Sequence, residues 1–215
     1  MSLFPILIDM QDMPCLVAGG GALALHKAEL LCAQGAKVTV IAPEICDEIR
    51  ELPVTVFCRE VAENDTEGMI LVVDATANDR AERILKDACS KRKIPFNSAC
   101  KGNDTTAVFP AVHRQGRIVI AVSSTGASPA ASVWLRDTIA GDIPERMDDI
   151  LECMETLRPL SREFFDEQPV RRVFLRCCLN EMIEKNRLLD REEIEKIRQS
   201  VEKQKKVDNL NEKDS

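Results

Sequence analysis

The feature that most constrains this chain is a run of three glycines between two apolar segments. Residues 15–18 form a short apolar run typical of a buried strand, and residues 23–34 have the pattern of a helix. Between them lie Gly19, Gly20 and Gly21. A phosphate approaches the backbone closely only where no Cβ intervenes, and the first turn of a helix offers unpaired N–H groups and a partial positive charge. The sequence therefore predicts a nucleotide-binding turn.

The glycines also match a longer fingerprint. Read as G-x-G-x-x-[GA], the turn uses Gly19, Gly21 and Ala24, and a second apolar strand follows at residues 37–42. This context favours a dinucleotide site over a glycine-rich loop. The predicted cofactor-binding residues are Gly19, Gly20, Gly21, Ala22, Leu23, Ala42, Pro43, Glu44, Ala75 and Thr76.

Strand and helix patterns alternate along the first half of the chain and then give way to helix. Strands are predicted at residues 6–8, 15–18, 37–42, 54–58, 69–75, 94–97 and 117–124, and helices at 23–34, 79–91, 130–139 and from 144 to about 203. Alternating β and α segments favour a parallel sheet whose ligand lies at the carboxyl ends of its strands. The acidic and polar residues 206–215 predict a disordered tail.

Composition excludes several classes of protein. The net charge of -7, with basic residues interleaved among acids, argues against general nucleic-acid binding. No apolar run approaches the roughly 18 residues that span a membrane, and no signal pattern opens the chain, so we expect a cytoplasmic location. The nine cysteines are scattered without a C-x-x-C pair, which predicts reduced thiols and no metal site.

Several motifs in order resemble one family. They are Phe4-Pro5-Ile6, the glycine turn with Lys27-Ala28, Ala75-Thr76, Asn97, and the segment from Ser123 to Pro129. Over residues 3–205 the chain resembles the precorrin-2 dehydrogenases, also called siroheme synthase N-terminal domains, some of which act as sirohydrochlorin ferrochelatases.

The resemblance implies an architecture and a reaction. It implies an α/β fold with a Rossmann-type NAD-binding domain (residues 1–112), a small dimerisation segment (113–143) and an all-helical C-terminal domain (144–205), assembled as a homodimer. It also implies that NAD accepts a hydride from precorrin-2, which becomes sirohydrochlorin. Predicted substrate-binding residues are Asn97, Lys101, Ser123, Ser124 and Ser128.

Two positions depart from the family pattern. His26 stands where the family usually has arginine, and we interpret this as a surface change. Cys100 stands where the family usually has its acid–base aspartate. A thiol is a poor base unless a neighbour such as Lys101 lowers its pKa. The candidate bases are therefore Cys100, Asp104 and His113, although His113 also fits an exposed turn.

Three questions stay open at this point. The end of the second predicted strand carries neither an acid for the ribose nor an arginine for a 2′-phosphate, which favours NAD modestly over NADP. The missing aspartate leaves open whether the chain inserts Fe²⁺ or Co²⁺ into its product. It also leaves an alternative from another class, a Rossmann module that senses NAD(H) without chemistry.

Overall fold

The structure is a computed structural model that describes residues 3–100 and 105–211, with side chains to residue 205. The chain divides into two compact units. The first contains residues up to 110 together with 123–129, and the second contains residues 111–122 and those from 130 onward. The predicted boundaries of the dimerisation segment stay a prediction.

The first unit is built on a five-stranded parallel sheet with strand order β3-β2-β1-β4-β5. Its elements are β1 (Pro14–Ala18), α1 (Ala22–Cys32), β2 (Lys37–Ala42), α2 (Asp47–Arg50), β3 (Thr55–Cys58), a 3₁₀ turn (Glu63–Thr66), β4 (Leu71–Asp74), α3 (Asp79–Arg92) and β5 (Phe96–Ser98). The predicted Rossmann-type fold class is confirmed.

Burial of the central strands on both faces explains their apolar sequences. Val17 of β1 packs in one core cluster with Ala24 and Ala28 of α1, whereas Leu16 packs on the opposite face with Leu85 of α3. Successive strand residues point to opposite faces, so a strand covered on both sides is apolar throughout. The two helices thus cover opposite faces of the sheet beside β1.

The strand predicted at residues 6–8 is wrong. These residues pair with no strand in the described part of the chain, and Ile6, Leu7 and Ile8 are exposed. A three-residue apolar run shows hydrophobicity, but a strand also needs a neighbouring strand to form hydrogen bonds with. Other predicted bounds shift by one or two residues at most termini of the first unit, as β4 and β5 show.

The second unit combines an antiparallel hairpin with helices. Its elements are β6 (Ala111–Gln115), β7 (Ile118–Val122), most of α4 (Pro129–Gly141), α5 (Met147–Phe164), α6 (Gln168–Lys185) and α7 (Arg191–Asn211). The core lies among α5, α6 and α7, where Leu157, Phe174 and Met182 are buried. Helix α7 extends into the predicted tail as far as Asn211.

Asp148 of α5 anchors the hairpin turn. Its Oδ1 accepts the Arg117 N–H at 2.9 Å, and a Cβ built on Gly116 would fall 1.5 Å from its carboxylate. Gly116 has a φ of 53°, which favours glycine as well. The hairpin is therefore held to the helices at a turn whose backbone conformation favours glycine.

Candidate dinucleotide site

Gly19 makes the turn out of β1 possible. Its φ is 123°, a backbone conformation that L side chains rarely adopt, and its N–H donates to the Ile41 carbonyl oxygen at 3.0 Å. A Cβ at this position would lie 2.6 Å from the carbonyl oxygen of Ala75, which follows β4. The turn thus passes in close contact with the segment after β4, and both conformation and space require glycine.

Gly20 is packed against the loop that follows β2. A Cβ built on it would lie 1.8 Å from the carbonyl oxygen of Glu44. The Cys46 N–H donates to the Gly20 carbonyl oxygen at 2.9 Å on the same side. The glycine turn and the loop after β2 therefore form one rigid surface at the carboxyl edge of the sheet.

Gly21 differs from its two neighbours because it faces open space. It is the N-cap of α1, no side chain caps the helix there, and a Cβ built on it would meet no atom within 4 Å. The first N–H groups of α1 and its positive dipole end consequently border an empty region. A pyrophosphate fits this cradle: the donors are present, and the missing Cβ leaves room for close approach.

The loop after β2 borders the same edge. Ala42 is buried, whereas Pro43 and Glu44 are exposed. The Glu44 side chain is the acid nearest to the end of β2 along the chain, on a loop whose backbone is fixed against Gly20. Ribose recognition by these three residues stays a prediction.

Asp74, which sequence reasoning missed, shapes the segment after β4. It is buried, and its Oδ1 accepts the Thr76 N–H at 3.0 Å and the Thr76 hydroxyl at 2.7 Å. Asn78 then caps α3 by accepting the N–H of Arg80 at 2.9 Å. Asp74 thus fixes the backbone of Ala75 against Gly19. The available signal was an acid that ends an apolar strand.

Asn97 is buried in β5 and only half satisfied. Its Nδ2 donates to the Ala107 carbonyl oxygen at 2.8 Å, but its Oδ1 has no hydrogen-bond partner among the described residues. Two further bonds tie the returning chain to β5: the Phe96 N–H donates to Thr106 Oγ1 at 2.8 Å, and the Ser98 N–H donates to Thr105 Oγ1 at 3.0 Å. Residues 105–107 are therefore tied to β5 by hydrogen bonds.

The predicted catalytic residues fall in different places. Cys100 is exposed and is the last described residue of the segment that follows β5. Lys101 and Asp104 lie outside the described residues. His113 lies on β6 in the second unit, half-buried, and its Nε2 has no partner among the described residues. It is part of a strand rather than an exposed turn, and its predicted catalytic role stays a prediction.

The predicted substrate serines form a compact turn in the first unit. The Ser124 hydroxyl donates to the Ser128 carbonyl oxygen at 2.9 Å and accepts the Ser128 N–H at 2.9 Å. Ser123 Oγ accepts the Thr125 N–H at 3.1 Å, and the turn uses positive φ at Thr125 and Gly126. The hydroxyls of Ser123 and Ser124 therefore shape the loop itself, and substrate binding by this loop stays a prediction.

Most thiols are ordinary packing groups. All nine cysteines are free, and burial raises the pKa of Cys15 and Cys89 to about 11. Such thiols are protonated at neutral pH and act as small apolar side chains. Within residues 3–100 and 105–211, no group of three His, Cys, Asp or Glu side chains is placed to hold a metal ion.

A parallel sheet with a glycine turn, an open helix N-terminus and polar residues at the ends of β4 and β5 defines a Rossmann-type dinucleotide-binding domain. Residues 6–111 match the family model described as "Putative NAD(P)-binding". The predicted cofactor, NAD, is thereby confirmed at the level of NAD(P) binding, whereas the residues predicted to bind it stay a prediction.

Longer proteins extend the match beyond this domain. The chain is 28% identical to the siroheme synthase of Saccharophagus degradans over 184 residues, which is 84% of this chain and 40% of that protein. It is 32% identical to the siroheme synthase of Methylococcus capsulatus over 178 residues, which is 81% of this chain and 38% of that protein. The chain thus spans about two fifths of the length of these relatives, and the predicted family resemblance is confirmed.

A solved structure shows that the likeness covers both units. The structure titled "SirC, precorrin-2 dehydrogenase" aligns with a TM-score of 0.66 and 23% identity, over 94% of this chain and 100% of that one. It supports the fold at this level of identity. No helix in the described residues is long and apolar enough to cross a membrane.

Proposed function

We propose that this chain is an NAD-dependent dehydrogenase that oxidises precorrin-2 to sirohydrochlorin. The observation that carries the proposal is the cradle at Gly21, open at the N-terminus of α1 while Gly19 and Gly20 are tightly packed. Its relatives are siroheme synthases, and a structural neighbour is titled as a precorrin-2 dehydrogenase. The site supports binding of a dinucleotide, and the resemblance supports precorrin-2 as the substrate.

The reaction removes two electrons and two hydrogens from the substrate. One hydrogen leaves as a hydride, which NAD can accept, and the other leaves as a proton. The α1 N-terminus would hold the pyrophosphate, and the Asp74–Thr76 turn would support the edge of the sheet beside the rest of the dinucleotide. The proton needs a positioned base, for which Cys100, Asp104 and His113 are the candidates.

The substrate carries many carboxylates, so this acidic chain must bind it with local donors. Lys101 and the Ser123–Ser128 turn are the candidates from the first unit. We also propose a homodimer, since Val133, Trp134, Leu135 and Ile139 of α4 expose apolar side chains. Fe²⁺ or Co²⁺ would be a substrate of any chelatase reaction.

The decisive test mixes the purified chain with enzymatically made precorrin-2 and NAD. NADH absorbance should rise in step with sirohydrochlorin absorbance, and omission of precorrin-2 should abolish both. One observation favours the second candidate, a sensor of NAD(H): Cys100 occupies the position of the family aspartate. NAD binding with no NADH formed under these conditions would establish the sensor instead.

A further inference from the structure

Lys27 of α1 is a half-buried cation whose contact is an aromatic ring. Its Nζ lies 4.2 Å from the centroid of the Phe109 ring. Burial lowers the pKa of this ammonium, and no carboxylate of the described residues forms an ion pair with it. A partly desolvated ammonium gains stability from a hydrogen-bond acceptor, and no described residue supplies one to Lys27.

Asn97 lies on the face of the sheet that α1 covers, and it has a buried acceptor that lacks a donor. It is the register partner of Val73, which shares a core cluster with Ala24 and Ala28 of α1. Its Nδ2 is committed to the Ala107 carbonyl, which fixes its Oδ1 as an acceptor that no described residue satisfies. A buried acceptor of this kind calls for a donor.

The two groups are held by one short segment. Asn97 bonds to Ala107 and Lys27 covers Phe109, and residues two apart in a chain lie at most about 7 Å from each other. Phe109 also packs against the cluster that contains Ala24 and Ala28. An acceptor in need of a donor and a donor in need of an acceptor are therefore each in contact with the same three-residue segment beside β5.

The position of this neighbourhood suggests which ligand group reaches it. In sheets of this type the adenosine half lies over the end of β2 and the pyrophosphate lies at the first helix N-terminus. The other half of the dinucleotide therefore extends toward β4 and β5. A carboxamide supplies both an N–H donor and a carbonyl acceptor, whereas a carboxylate supplies acceptors only.

We infer that Lys27 and Asn97 form a subsite for the carboxamide of the nicotinamide ring. The carboxamide N–H donates to Asn97 Oδ1, and its carbonyl oxygen accepts from the Lys27 ammonium. This assignment gives Asn97, predicted to bind substrate, a role toward the cofactor. It rests on the proposed function, because it requires that a nicotinamide dinucleotide occupies the glycine cradle. The subsite would hold the nicotinamide ring in one orientation about its glycosidic bond.

Calorimetric titration of three ligands tests the subsite: NAD, ADP-ribose, which lacks the nicotinamide, and the acetylpyridine analogue of NAD, which replaces the amide nitrogen by a methyl group. NAD should bind wild-type protein more tightly than ADP-ribose does. The Lys27→Met variant should lose about tenfold or more in NAD affinity and keep its affinity for ADP-ribose. Lys37→Met is the matched control, since Lys37 pairs with Asp12 at the amino end of β2.

The analogue needs no variant and so guards against a folding defect. It should bind wild-type protein about tenfold more weakly than NAD, because Asn97 Oδ1 would face a methyl group. Equal affinity for NAD and the analogue would overturn the subsite. Two results with Lys27→Met would also overturn it. One is an equal loss of NAD and ADP-ribose affinity, and the other is an unchanged NAD affinity with a raised KM for precorrin-2. If wild-type protein binds neither dinucleotide nor ADP-ribose, the proposed function itself fails.

Discussion

The carbonyl oxygen of Glu44 occupies the space that a side chain at position 20 would need, since a Cβ on Gly20 would lie 1.8 Å from it. Both partners are main chain, so rotation of a side chain cannot relieve the overlap. Gly20→Ala should therefore lower the free energy of unfolding by about 1–3 kcal/mol and weaken NAD binding. Chemical denaturation followed by circular dichroism measures the first effect, with Gly21→Ala as the matched control of unchanged stability.

Gly21→Asp should separate binding from folding. A side chain at this position meets no protein atom, so the variant should fold with a normal denaturation midpoint. The aspartate would place a negative charge where the pyrophosphate lies, and NAD binding by calorimetry should be abolished. A folded variant with unchanged NAD affinity would contradict the assignment of the cradle.

Asp65 predicts a pH-dependent contribution to stability. Its carboxylate accepts two hydrogen bonds from Arg59, at 2.6 and 2.8 Å, and this pairing holds its pKa below the usual value. A carboxyl whose pKa is depressed by folding stabilises the protein above its unfolded pKa, and that stability is lost as the pH falls through the folded pKa.

Asp65→Asn should therefore lower the denaturation midpoint at pH 7, and the difference from wild type should shrink below the ordinary aspartate pKa of 3.8. The exposed pair Lys37 and Asp12 gives the control, since Asp12→Asn should change the midpoint little at either pH. A difference between Asp65→Asn and wild type that is independent of pH would show that the carboxylate charge is irrelevant.

The missing aspartate predicts unequal activities. A carboxylate is suited to removing pyrrole N–H protons as a metal enters, whereas a thiol binds metal tightly enough to retain it. Cys100→Asp should raise ferrochelatase activity with iron or cobalt by about tenfold or more, while dehydrogenase activity changes less. Asp104→Ala should weaken the activity of the native chain. If neither variant changes metal insertion, the assignment of the active-site loop is wrong.

The exposed apolar face of α4 predicts the oligomeric state. Trp134 is 67% exposed, which is costly for an indole unless a second copy covers it. Light scattering at micromolar concentration should show a dimer for wild-type protein and a monomer for Trp134→Glu. Leu188→Glu, which places the same charge between α6 and α7, should remain a dimer. A wild-type monomer would refute the predicted interface.

Periodicity and turn chemistry predicted the first unit well, because its signals are local. The strand at residues 37–42 matches β2 to the residue, and the predicted start of α3 at Asp79 is also correct. The three glycines predicted the turn between β1 and α1 because they lie in one contiguous motif. By contrast, residues 6–8 carry the apolar signal of a strand without a partner, which only the sheet reveals.

The contacts that specify the site are not local, so the sequence could not supply them. Nothing in the sequence pairs Gly20 with Glu44, or Lys27 with Phe109, since such distances depend on how loops close. His113 is similar: its neighbours fit a turn as well as a strand, and pairing with Ile120 decides for the strand. Asp74 lies inside the apolar run at residues 69–75, and the predicted strand ends one residue after it, whereas β4 ends at Asp74 itself.

The packing of the glycine turn has a consequence for redesign. Gly19 lies against Ala75, in the loop after β4, and Gly20 lies against Glu44, in the loop after β2. These are the two loops that would be exchanged to alter ribose or nicotinamide recognition. The same loops therefore also pack against the glycine turn. A loop transplanted after β2 that moves one carbonyl inward would displace the helix N-terminus. Cofactor preference and phosphate binding are thus mechanically linked, and a graft succeeds only when loop and turn are transferred together.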